Sequence, residues 1–217
     1  MKFLSTAFEV IFLFIISTIV ISIIMFSLFI PQTKTIDNRI FIHSMKDYHL
    51  KAEKIISLLN KSPLNSDTHV NAFILPKYLY VLTNIKGVFG SQGIAYPVIN
   101  TIFINANVHE ETERTVEETI VHETTHIDTF NKFGYFKTTL SPSWKVEGIA
   151  DYVAKSGSFR KNEQEAIIKK YKDGESLSMK EKYVVYTKKV TLFMDKGMSV
   201  DELFSDKIKS DFKKSIY

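Results

Sequence analysis

The sequence predicts an α+β domain behind an N-terminal transmembrane helix, on three observations. The run Val10 to Ile30 holds no charged residue and is mostly Ile, Phe, Leu and Val. Segments with the alternation of β-strands fall in the first half of the chain. From Thr112 onward, capping signals and apolar periodicity are those of helices.

At 1.5 Å per residue the uncharged run spans about 30 Å, the thickness of a bilayer's hydrocarbon core. It exceeds the apolar region of a cleaved signal peptide and ends Ser27-Leu28-Phe29-Ile30-Pro31, with no small-residue cleavage site. The expectation is an uncleaved single-pass anchor within residues 1–34 and one domain over 35–217. The membrane is then a partner, through this N-terminal helix. Lys2 lies before the span and Lys34 and Arg39 after it, so charge sets the orientation weakly. Large C-terminal domains translocate largely regardless of charge, which places the domain outside the cytoplasm.

Ser44 to Asn60 has the spacing of an amphipathic helix, through Leu50, Ile55, Ile56, Leu58 and Leu59. His69 to Leu75 reads as a strand, Tyr78 to Ile85 fits strand or helix, and Gly87 to Gly93 reads as a Gly-rich turn. Asn100 to Val108 alternates and is β-branched, which predicts a strand. Helices follow near 142–156, 160–172, 178–196 and 199–213, with capping boxes at Ser178–Glu181 and Ser199–Glu202. A mixed part followed by a helical part gives an α+β domain with a site between the two.

The chain has 217 residues, a formal net charge of +4 and no cysteine. Disulfides and cysteine–zinc sites are thereby excluded. The positive charge is dispersed, and Lys207, Lys209, Lys213 and Lys214 have the character of a solvated tail. No nucleic-acid partner is expected.

Chemistry concentrates at His122-Glu123-Thr124-Thr125-His126. Helical signals run from Thr112 to Phe133, with Thr115 and Glu118 as a capping box and Gly134 as a left-handed stop. Val116, Ile120, Ile127 and Phe130 form one apolar arc of this helix, while Arg114, Glu117, Asp128 and Lys132 fall opposite. Glu123 lies inside the arc and the two histidines at its edge. Histidines four apart on a helix reach a common cation, and the carboxylate beside them is placed to take a proton from water. A lone inward histidine is more often an ordinary core residue. Three inward polar groups together need a partner, and one zinc ion supplies it.

Two histidines leave a zinc site one protein ligand short. Ser141 as N-cap and Pro142 as first residue open a second helix, with Gly157 as its stop. Glu147 and Asp151 share one face of it, and Gly148 and Ala150 allow a neighbouring helix to approach closely. Glu147 is the candidate third ligand. Asp151 is the candidate acceptor for the second ring N–H of a ligand histidine, His122 for preference.

His122-Glu123-Thr124-Thr125-His126 followed by Glu147-Gly148-Ile149-Ala150-Asp151-Tyr152 resembles the gluzincin group of zinc metallopeptidases, over roughly residues 100 to 195. The resemblance implies a zincin-like domain acting on a peptide or protein substrate. In it His122, His126 and Glu147 are ligands and Glu123 is general base and general acid. It also implies an edge strand that holds the substrate, placed at Asn105 and Ala106, although a core strand fits that stretch equally. An oxyanion-stabilising tyrosine is assigned to Tyr186, with Tyr183 in reserve.

Other functions share these motifs. A non-catalytic envelope or peptide-binding protein would use the zinc as structure, with a fourth protein ligand such as His109. A zinc amidase would cut another bond with the same chemistry.

Overall fold

The computed structural model describes residues 17–18, 30–83, 91–107, 114–155, 159, 161–205 and 208. The strands are β1 (Gln32–Ile36), β2 (Ile40–Ser44), β3 (Val70–Leu75), β4 (Gly93–Tyr96) and β5 (Thr101–Asn105). The helices are α1 (Ala52–Leu59), α2 (Lys77–Thr83), α3 (Val116–Phe133), α4 (Tyr135–Leu140), α5 (Ser143–Ala154), α6 (Lys161–Lys172), α7 (Met179–Asp195) and α8 (Val200–Leu203).

The strands form one five-stranded sheet in the order β1-β2-β3-β5-β4. β2, β3 and β5 run parallel, and β1 and β4 flank them antiparallel. Asp37 and Asn38 turn β1 into β2 with φ of 51° and 52°, a left-handed conformation that short polar side chains tolerate. β3 alternates between two cores. Val70, Ala72 and Ile74 join the larger one, with residues of α1, α3 and α5. Phe73 and Leu75 point to the other face, with Phe103, Ile94 and Tyr80. Both faces of the central strands are thus covered, as parallel pairing demands.

Several expected boundaries shift. Ser44 ends β2 and only Ala52 to Leu59 is helical, because residues from Ile40 pair with β3 before any helix begins. Residues 77–83 resolve to helix. Gly93, expected in a turn, opens β4. The polar stretch after Pro31 contains β1.

The transmembrane helix is the main correction. Among the described residues no helix is long and apolar enough to cross a membrane. Apart from Ser17, Thr18 and Ile30, the expected span lies outside the described residues. Ile30 itself is 2% exposed and packs with Phe73, Leu75, Tyr80, Ile94 and Phe103, so the last residue of that span belongs to the domain's own core. The membrane as partner through an N-terminal helix and the single-pass, extracytoplasmic localisation rested on that helix and fall with it. What the structure shows is a mixed α/β unit with a small sheet and surrounding helices.

Candidate metal centre

α3 begins where its capping box places it. The Glu118 N–H donates to Thr115 Oγ1 at 3.2 Å, and the Thr115 N–H donates to Glu118 Oε2 at 3.0 Å. Thr112 lies outside the described residues, and Arg114 precedes the cap rather than riding the helix. Gly134 ends α3 with φ 81° and ψ 165°, an extended form of positive φ that hands the chain directly to α4. The helix is buried on nearly every side. Asp128 is 1% exposed because Arg39 of the β1–β2 turn grips both its oxygens. Glu117 accepts the Lys51 N–H at 2.9 Å. Of the residues expected opposite the apolar arc, Glu117 and Asp128 are therefore packed, while Lys132 is exposed.

One helical turn separates His122 from His126, and their Nε2 atoms lie 3.1 Å apart with the rings 86° to each other. α5 supplies the third group. It starts one residue later than expected, with Pro142 at the N-cap, and ends on Lys155 at φ 49°. Gly157 lies outside the described residues. Glu147 Oε2 lies 3.5 Å from the Nε2 of each histidine. Gly148, the next residue, meets α7: a Cβ there would sit 2.7 Å from the Tyr186 carbonyl oxygen and 2.6 Å from Val190 Cγ2.

His122, His126 and Glu147 form a group that could hold a metal ion. Ligands about 2.0–2.1 Å from a tetrahedral ion stand about 3.3 Å from one another. The separations of 3.1, 3.5 and 3.5 Å fit that requirement. A point about 2 Å from all three atoms exists between them. Among the described residues this is the one such group. His109, the expected source of any fourth protein ligand, lies outside them.

Asp151, one turn after Glu147, places Oδ1 2.7 Å from His122 Nδ1. The same oxygen takes the Arg114 guanidinium, and Thr187 Oγ1 of α7 donates to Oδ2 at 3.3 Å. Asp151 is 2% exposed, so this cluster is internal. Electrostatics follow the geometry. Burial and Arg114 oppose a proton on His122, but the Asp151 and Glu147 carboxylates prevail and push its pKa up to about 9. Burial likewise opposes ionisation of Glu147, yet His126 and His122 hold its carboxyl well below the ordinary range.

Glu123 points to β4 and is not one of the converging donors. It is 7% exposed and lies directly against Gly93. β4 forms the edge of the sheet, whereas β5 lies inside it between β3 and β4. Asn105 and Ala106, the expected substrate-holding pair, have their N–H groups engaged: Asn105 with the Gln92 carbonyl at 2.9 Å and Ala106 with the Leu75 carbonyl at 2.8 Å.

On α7, Tyr186 was the expected oxyanion donor and Tyr183 its reserve. Thr187, four residues after Tyr183, reaches Asp151, so that face of α7 is turned to the site. The Tyr183 phenol is pushed up to about 12 by burial and then by Glu147, Asp151 and Glu123. Tyr186 packs against the larger core, its ring centroid 6.0 Å from that of Tyr183.

Arg114, Thr187 and Gly93 went unrecognised in the sequence. Arg114 sits ahead of the cap, so extending the helical wheel to it assigns it the wrong side. Nothing local marks Thr187 or Gly93, since both matter only through contacts with distant segments. No protein-family model matches the chain, and no curated protein matches it.

Proposed function

We propose that this chain is a zinc-dependent metallopeptidase of the gluzincin kind. One observation carries it: His122, His126 and Glu147 converge with the spacing of a tetrahedral ion's ligands, and a buried carboxylate on the same helix stands outside the trio. Two imidazoles and a carboxylate suit zinc, with three protein ligands and a position left for water.

Zinc, when bound, lowers the pKa of water and polarises the carbonyl to be attacked. The chain's own residues supply the rest. Glu123 takes a proton from the attacking water and passes it to the departing amine. Asp151 orients His122 through Nδ1, leaving Nε2 for the ion. Tyr183, whose phenol keeps its proton at neutral pH, donates a hydrogen bond to the developing oxyanion in place of Tyr186. Among the described residues β4 pairs only with β5, and its other edge is the one we assign to an extended substrate chain.

The test uses the full chain, zinc analysis and a panel of peptides alongside non-peptide amides. Glu123→Gln should keep zinc and lose about 10²–10⁴-fold in hydrolysis. Glu147→Ala should lose both. Wild-type hydrolysis by Glu123→Gln would exclude the mechanism, and hydrolysis confined to the amides would change the substrate class.

A further inference from the structure

We propose that Gly93 is a positioning residue for Glu123, a backbone wall that confines the base on the side of β4. The inference rests on the assignment of Glu123 as that base.

A Cβ on Gly93 would sit 2.6 Å from Glu123 Cγ, 2.8 Å from Oε1 and 3.0 Å from Cδ. The glycine is not there for backbone freedom, because its φ lies outside the left-handed region. It is there for space. β4 alternates, with Ile94 and Tyr96 packed on the far core and Ala95 on the core that contains α3. Gly93 and Ala95 thus present the smallest possible face to α3, which lets the edge strand lie against the helix at Glu123.

The wall cannot retreat. Gly93 pairs with Ile104 of β5, and the preceding Gln92 carbonyl accepts the Asn105 N–H at 2.9 Å. One residue earlier, Ser91 Oγ is 2.6 Å from the hydroxyl of Tyr80, which is 3% exposed. Anything added at position 93 must therefore displace the Glu123 side chain. With its Cγ held against fixed backbone, Glu123 loses rotamers that would swing the carboxylate away from the attacked bond. Such confinement acts on the chemical step, since a misplacement of about 1 Å can cost on the order of 100-fold in rate.

The experiment compares wild type, Gly93→Ala, Glu123→Asp and the double variant as full chains, measuring zinc affinity, kcat and KM on one peptide. Gly93→Ala should lower kcat about 10–100-fold with KM and zinc affinity unchanged. Glu123→Asp, whose shorter chain withdraws from position 93, should cost clearly less kcat in the Gly93→Ala background than in wild type. Unchanged kcat in Gly93→Ala, strict additivity in the cycle, or loss of zinc in step with kcat would each overturn the inference. Failure of the base assignment is separate, since it shows as hydrolysis by Glu123→Gln.

Discussion

Oδ1 of Asp151 serves two partners at once, His122 Nδ1 at 2.7 Å and the Arg114 guanidinium. A carboxylate from α5 thereby bridges a ring on α3 and a residue lying ahead of α3's cap. Removing the negative charge while keeping the shape isolates that role. Asp151→Asn should weaken zinc binding about 10–100-fold, measured by competition with a chromophoric chelator. An unaltered affinity would deny Asp151 any part in orienting the ligand.

On the proposed assignment, zinc and protons compete for His122. With zinc stripped, the fold raises this pKa from 6.5 to about 9, so the protonated ring stabilises the folded chain. That contribution is complete below about 6.5, declines as pH rises and is gone above about 9. The melting temperature of the stripped protein should therefore fall across this window. Zinc affinity should rise over the same range by about tenfold per pH unit, one proton being displaced. A flat affinity profile would show that His122 is already neutral.

Arg39 closes on both oxygens of the buried Asp128, joining the β1–β2 turn to α3. Truncating Arg39 leaves that carboxylate buried with no cation, and with Ser66 as its remaining side-chain partner among those that lower its pKa. Arg39→Ala should cost about 3–5 kcal/mol, read as a melting point lower by on the order of 6–20 °C. Arg39→Lys should recover only part, because a single nitrogen, Nη2, meets both Asp128 oxygens while the Nε bond to the Thr68 carbonyl at 3.2 Å would be lost. A loss below about 1 kcal/mol would mean that the pair is open to solvent.

Gly148 sets the distance between α5 and α7. Its missing Cβ leaves room for the Tyr186 carbonyl, a backbone atom that cannot swing aside. Gly148→Ala should destabilise the fold by about 1–3 kcal/mol and shift Thr187 and Tyr183 relative to Asp151. The accompanying sign would be a larger fractional loss of kcat than of zinc. Equal stability to wild type would mean that the helices separate freely.

The helix that carries His122 and His126 was legible because its signals are local. A capping box, an apolar arc and histidines four residues apart all lie within a few turns of one segment. Asp151 was legible for the same reason, as it follows Glu147 by one turn. The membrane anchor was read from an apolar run alone, and composition does not distinguish a lipid-facing residue from one enclosed by protein. Ile30 is enclosed by protein, against Phe73 and Phe103.

By itself the sequence determined which groups share a helical face, since periodicity is a property of neighbouring residues. The tertiary structure decided everything that depends on two distant segments meeting. It brought Glu147 to 3.5 Å from both rings, put Arg114 on Asp151 and made β4 rather than β5 the sheet's edge. Strand order and helix crossing arise from packing of the whole core, and no local stretch encodes them. The glycine against Glu123 shows it most plainly, for its function lies in an atom it lacks and in a neighbour thirty positions away in sequence.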